Sequence, residues 1–292
     1  MENSALNADL DALVLDAQSG NQSALNEVLL QLQHKMYNIA LRFFSNPHDA
    51  EDACQEINIR IVKNIHSFKG ESKFTTWVYR LAYNLLISLK NSKKSENSLT
   101  FEQFAEGIYI DINDHDEAEV DKPDYQQLLQ EVRVACTLAL LQCLDDEARM
   151  TYILGEIFEM DHSDGSQVMN ISQDNYRKKL SRARSKVNEV TMQHCGLVKE
   201  SNRCRCHKQV SKSMNMGRLN RNNLVFASDR SHPERFPEVL KMIRDLQESQ
   251  RTAELLRNVP SDENNEKYIN WVHATVASVN HRSTVNGTQV TA

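Results

Sequence analysis

Apolar residues recur at helical spacing along most of this chain. Leu10, Leu13, Val14 and Ala17 share one face of a first helix. A break at Ser19-Gly20-Asn21 separates them from Leu25, Val28, Leu29, Leu32 and Met36, so residues 10 to 45 predict two helices. Asn46-Pro47-His48-Asp49 carries the marks of a helix start: an amide at the N-cap, proline at the first helical position and an acid in the first turn. In the helix that follows, Ala50, Ala53, Cys54, Ile57, Ile61 and Ile65 lie on one face. Asp49, Asp52, Glu56, Arg60 and Lys63 lie on another. Phe68-Lys69-Gly70-Glu71-Ser72 interrupts the pattern, and Phe74, Trp77, Val78, Leu81, Ala82, Leu85 and Leu89 restart it through about Lys90.

These elements define a first helical domain over residues 10–95. Periodicity then weakens over residues 96–124, which include Pro123 and read as a linker. A second helical domain covers residues 125–192. Leu128, Leu129, Val132, Ala135, Leu138, Ala139, Leu141 and Leu144 predict one helix, and Asp145-Asp146-Glu147 starts another through Ile153, Ile157 and Phe158. Ser172 is a suitable N-cap for a basic helix from Gln173 to about Thr191. Residues 193–292 form an extension, polar from 208 to about 229 and helical again over about 234 to 280. There Val239, Met242, Ile243 and Leu246 make one stripe, and Ile269, Val272 and Val276 another.

Composition agrees with an all-α chain. The 292 residues suggest about two domains. The 8 Gly and 5 Pro fall well short of the ~20 and ~15 of average usage, which argues against a turn-rich β-sandwich or barrel. No stretch approaches the roughly 18 to 20 apolar residues that cross a bilayer. The acidic, polar Met1 to Leu10 lacks a basic secretory n-region. The expectation is a cytoplasmic chain with reduced thiols and no membrane partner. No phosphate-binding Gly loop is present, and the His and carboxylate groups lack catalytic spacing, so an enzyme is not expected.

The net charge of -6 conceals segregation. Residues 96 to 124 carry ten acids and one base, whereas residues 173 to 186 carry six bases and one acid. The basic block sits in Phe158 to Arg184, where a short polar helix, a turn near Asn170 and a capped basic helix predict a helix-turn-helix. On that geometry Gln173, Asn175, Tyr176 and Arg177 are placed to read bases, and Lys178, Lys179, Arg182 and Arg184 to hold phosphates. About six phosphates would give a salt slope of roughly −5. A solvated basic helix is the competing reading of the same charges. A second signal is Phe68 to Asn84, where aromatics alternate with Lys and Arg as single-stranded nucleic acid requires. Phe74, Trp77 and Leu81 also fit core spacing, so packing is the alternative there.

Asp49-Ala50-Glu51-Asp52 with Gln55-Glu56, then Phe68-Lys69-Gly70, Phe74-Thr75-Thr76-Trp77 and Tyr79-Arg80-Leu81-Ala82-Tyr83-Asn84, resembles region 2 of the extracytoplasmic-function (ECF) sigma factors of bacterial RNA polymerase. Ile171-Ser172 through Tyr176-Arg177-Lys178-Lys179-Leu180-Ser181-Arg182-Ala183-Arg184 is similar to the region 4 recognition helix of that family. The resemblance covers about residues 10 to 190. It implies that Asp49, Asp52, Gln55 and Glu56 dock on the clamp-helix coiled coil of core polymerase. It implies that Lys69, Lys73, Trp77, Arg80 and Asn84 face the downstream promoter element. Region 4 would read the upstream element, and the acidic linker would thread toward the RNA exit path. Core polymerase and promoter DNA are the implied partners, with an anti-sigma factor or the chain's own extension as restraint. A standalone helix-turn-helix regulator is the alternative, and a metal-binding adaptor a third.

Two features depart from that pattern. Gly165 stands in the first helix of the helix-turn-helix where the family usually has an apolar residue, which predicts a loosened half of region 4. His194-Cys195 and Cys204-Arg205-Cys206-His207 follow region 4. No cofactor is required, but Cys195, Cys204, Cys206 and His207 could close a zinc or other transition-metal site. Redox-active thiols and a structural or incidental role are the alternatives, since the spacing is not a paired C-x2-C. Cys54, Cys136 and Cys143 read as core residues.

Overall fold

The computed structural model describes residues 2–92, 99–110, 124–227, 236–259 and the positions 271, 272, 274 and 276. Among them all regular structure is helical, apart from one isolated backbone bridge between Cys195 and Cys204. The chain divides into two compact units. One comprises Met1–Ala40, His48–Ser92 and Asp262–Ala292, the other Leu41–Pro47 and Lys93–Ser261. Residues 193–261 therefore share a unit with the helix-turn-helix.

The first unit holds α1 (Glu2–Gln18), most of α2 (Gln22–Phe44), α3 (Pro47–Asn64) and α4 (Phe74–Ser92). Gly20 turns the chain between α1 and α2 with φ 97°, a conformation side chains resist, and Asn21 Oδ1 accepts the Ala24 N–H at 3.2 Å. The predicted stripes supply the core: Val28, Leu29, Met36, Ile57, Ile61, Val78, Ala82 and Leu85 are buried. A single 3-10 turn, Ile65–Ser67, ends α3. Gln18 fixes the loop that follows by donating its Nε2 to Ile65 O and Phe68 O, both at 2.8 Å.

The second unit contains α5 (Phe101–Tyr109), α6 (Tyr125–Gln142), α7 (Asp146–Tyr152), α8 (His162–Met169), α9 (Gln173–His194), α10 (Cys206–Asn215), α11 (Phe236–Asp245) and α12 (Glu248–Arg257). A π-helical stretch, Ile153–Ile157, continues α7. Two elements depart from expectation. α5 lies inside the expected linker, where Phe101, Phe104, Ala105 and Ile108 keep helical spacing among the acids. A reciprocal cap starts it: Thr100 Oγ1 accepts Gln103 N–H at 3.2 Å, and Gln103 Oε1 accepts Thr100 N–H at 3.0 Å. α10 lies in the stretch expected to be polar. Its Val210 packs with Leu128 and Val132 of α6 and with Leu219.

The extension is joined to α6 by buried charge as well as apolar area. Glu131, only 5% exposed, accepts the backbone N–H of Val225 at 2.9 Å and of Phe226 and Ala227 at 2.7 Å. Arg133 donates to Asn258 O at 3.0 Å, and Arg42 to Arg257 O at 3.0 Å and Leu256 O at 3.3 Å. Both guanidiniums thus cap the carboxyl end of α12, where carbonyls lack helical partners. Burial lowers each of them to about 10. A second apolar cluster of Val198, Ile243 and Leu255 and a buried Thr191–Thr252 hydroxyl pair at 2.7 Å complete the junction. Ile269 of the expected last stripe lies outside the described residues, while Val272 and Val276 are buried.

Glu131→Gln sets an NH2 group against one or more of the three backbone donors. It should lower unfolding free energy by roughly 1–3 kcal/mol, read by urea denaturation.

Candidate nucleic-acid interface

α3 carries its acids along the side opposite its buried stripe. Asp52 is exposed, and Asp49, Gln55 and Glu56 are half-buried. Glu56 is partly neutralised by Arg60 at 3.3 Å, one turn on. Asp52 is left the most accessible carboxylate of the expected docking set.

The aromatic segment is partly packed and partly accessible. Phe74 is buried, whereas Phe68 and Trp77 are half-buried. Their rings meet at centroid distances of 5.2 Å (Phe68–Phe74), 5.7 Å (Phe68–Trp77) and 5.5 Å (Phe74–Trp77), the last pair stacked. Gly70 makes the preceding turn with φ 74°. Helical spacing then sets Trp77, Arg80 and Asn84 along one stripe of α4, with Lys73 just before its first residue. Lys69, Lys73 and Asn84 are exposed and Arg80 half-buried, so a half-covered indole stands among cations.

In the second unit α8, a turn and α9 form the expected helix-turn-helix. Asp161 Oδ1 caps α8 at Asp164 N–H (2.8 Å), and Ser172 Oγ caps α9 at Asn175 N–H (3.3 Å). Asn170 makes the turn in the left-handed region with φ 54°, which asparagine tolerates better than most side chains. Gln173, Asn175, Arg177, Lys178, Arg182 and Arg184 are exposed and Lys179 half-buried.

Tyr176 corrects the sequence reading. It is fully buried and reaches no base. Its ring lies where a Cβ on Gly165 would stand, and its hydroxyl and Leu180 crowd the same position on Gly155 in the π-helical stretch. Gly165 therefore does not loosen α8: the large side chain on α9 needs the missing one on α8. The Tyr176 hydroxyl is buried without a hydrogen-bond partner, and burial pushes its ionisation up.

Acids of neighbouring elements engage part of the basic helix. Lys179 pairs with Glu147 at 2.6 Å, Arg184 with Glu156, and Lys178 with Asp174 at 2.7 Å within α9 itself. The Lys178 hydrogen bond holds the Asp174 carboxyl below its usual range. Glu156 also meets Arg257 of α12 at 3.8 Å, and its carbonyl accepts from the same guanidinium at 2.9 Å. Arg177 and Arg182 stand outside these ion pairs.

The thiols divide differently from expectation. Cys54 is buried, but Cys136 is exposed and Cys143 half-buried, because α6 turns that face outward. Cys195 and Cys204 lie opposite each other across their backbone bridge, Cys206 opens α10, and His207 is exposed beside it. Gly196 is needed here: a Cβ would overlap Cys204 O and the Arg205 guanidinium. Burial pushes the Cys204 thiol up to about 11 and Cys206 up to about 12, so both are protonated near neutral pH. Among the described residues no group of three or more Cys, His, Asp or Glu side chains is arranged to hold a metal ion.

Gly165→Ala should destabilise by about 1–3 kcal/mol through overpacking, whereas Tyr176→Phe should be neutral or slightly stabilising, since it removes an unpartnered buried hydroxyl. Thermal and urea unfolding separate the two. With Lys179 and Arg184 paired to acids of other elements, about four phosphate contacts give a salt slope near −4 for duplex binding. Arg182→Ala should lower that slope by about 1 and Lys179→Ala by less, as DNA titrations over a salt series would show.

Residues 29–96 match the family described as Sigma-70 region 2, which takes in α3, the aromatic segment and α4. The chain is similar to the RNA polymerase sigma-H factor of Pseudomonas aeruginosa, 27% identical over 183 residues covering 61% of this chain and 91% of that protein. It is also similar to the ECF RNA polymerase sigma-E factors of Escherichia coli K12 and Salmonella typhimurium. Each is 26% identical over 181 residues, 60% of this chain and 90% of the relative. No helix among the described residues is long and apolar enough to cross a membrane. Residues 29–96 thus carry a Sigma-70 region 2 domain, and with a helix-turn-helix in the second unit and relatives aligned over nearly their whole length the chain is similar to the ECF-type sigma factors of RNA polymerase.

Proposed function

We propose that this sigma factor divides its work between two surfaces. α3 meets core polymerase through Asp52, Asp49, Gln55 and Glu56. The Lys69–Asn84 stripe takes the downstream promoter element, with Trp77 offering a ring face to an unstacked base while Lys69, Lys73 and Arg80 follow the backbone. α9 reads the upstream duplex through Gln173, Asn175 and Arg177, with Lys178 and Arg182 on phosphates. Sigma factors are non-catalytic subunits. The chain accordingly supplies binding energy and register, and the polymerase supplies the chemistry.

The observation that carries this reading is the union in one chain of the region 2 match at 29–96 and an exposed, capped basic helix at Gln173–His194. A standalone regulator has use for the second alone. The extension acts as part of region 4: α10 packs on α6, and α12 packs on the π-helical stretch and on α9, where Thr252 meets Thr191. The base-reading residues at the amino end of α9 stay exposed. Restraint by the extension therefore does not work by covering that face.

Binding of the full chain to core polymerase tests the division. Asp52→Lys should weaken the complex at least about tenfold by opposing a basic partner surface. It should leave duplex DNA binding by the free chain unchanged. Equal core affinity for wild type and variant would remove α3 from the interface.

A further inference from the structure

The acidic stretch between the two DNA-reading regions contains a short helix held at both ends by other parts of its unit. At its amino end, Cys143 Sγ donates to Thr100 O at 3.6 Å. At its carboxyl end, α10 supplies the missing partners. Lys212, 5% exposed, donates its ammonium to Gly107 O and, at 3.2 Å, to Ile108 O. Gln209 Nε2 donates to Ile108 O at 2.9 Å. Next to them the Tyr109 hydroxyl is hydrogen-bonded to His194 Nδ1 at 3.1 Å, at the end of α9. A cation and an amide on the last carbonyls of a helix satisfy its orphan acceptors and oppose its dipole.

α5 needs this hold. It has nine residues, below the roughly 12–15 at which isolated helices become even marginal. Ile108 is its one buried residue. Helices with so little buried area open locally at small cost, independently of the rest of the fold. In sequence, Asp111, Asp114, Asp116, Glu117, Glu119 and Asp121 lie between α5 and α6, two helices of the same unit.

We propose that α10 is a latch on the helix within the acidic linker: Lys212 and Gln209 hold α5 against region 4, and α5 is released only when they let go. The extension thereby restrains the factor through its linker, while the DNA-reading face of α9 stays open. This rests on the sigma-factor reading, since core polymerase is the partner that would draw the linker out. Binding to core then includes the cost of opening the latch, and a variant with the latch already open binds more tightly.

Lys212→Met keeps the stem and removes the charge, Lys212→Arg keeps a cation, and Gln209→Met alters a half-buried position. Hydrogen exchange on the full chain reads α5, with α6 and α9 as internal references for folding. Lys212→Met should speed exchange in residues 104–110 by about tenfold with α6 and α9 unchanged. Gln209→Met should do so by a smaller factor, and Lys212→Arg should stay near wild type. Affinity for core polymerase should rise several-fold in the same order. If α6 exchange shows that Lys212→Met disturbs the fold, Gln209→Met alone carries the test. Unchanged α5 exchange in Gln209→Met, or faster exchange with unchanged core affinity, overturns the latch. Failure of wild type and variants alike to bind core polymerase overturns the reading beneath it.

Discussion

The geometry of the helix-turn-helix depends on one contact, the Tyr176 side chain against the bare backbone of Gly165 and Gly155. A recognition helix is useful only if its exposed side is fixed relative to the helix before it. Here a buried aromatic sets that distance, with two glycines providing the space. The π-helical stretch that contains Gly155 also presents Glu156, which engages Arg184 on the recognition helix and Arg257 on the extension. The packing that orients α9 thus lies next to the ion pairs that tune its charge.

Around this contact, charge is placed by burial. Accessible carboxylates on α3 and accessible cations on α4 and α9 face outward. Glu131, Arg42, Arg133 and Arg149 are buried and meet backbone groups. Arg149 alone donates to Phe43 O, Leu141 O, Gln142 O and Leu144 O over 2.8–3.3 Å, with Asp146 at 3.2 Å. Buried charge of this kind is costly to leave without partners. It makes the described part of the extension a component of the second unit rather than an appendage, since the backbone at 225–227 and 256–258 supplies the partners of Glu131, Arg42 and Arg133.

Much of this was legible in the chain. Helical periodicity located α2, α3, α4, α6 and α9, and the cap at Ser172 located the start of the recognition helix to the residue. Legibility failed where a local signal was overlaid by a stronger one. The apolar spacing of Phe101, Phe104 and Ile108 is present, but ten acids in the surrounding stretch pointed to a linker. Tyr176 sits among basic residues, so its register on the buried side of α9 passed for a base-reading position. Gly165 had a meaning only in combination with Tyr176, and no rule applied to one residue at a time supplies a pair eleven positions apart. The outward face of Cys136 followed from the rotation of α6, which its mostly apolar sequence left undetermined.

The central claim is that both surfaces act together on one promoter under core polymerase. Transcription by core polymerase on DNA carrying the factor's target promoter, with and without the full chain, followed by start-site mapping, tests it most directly. The account predicts a defined start that appears only with the chain and is lost in both Trp77→Ala and Arg177→Ala. Transcription from no defined start, or a start that survives both substitutions, would contradict it.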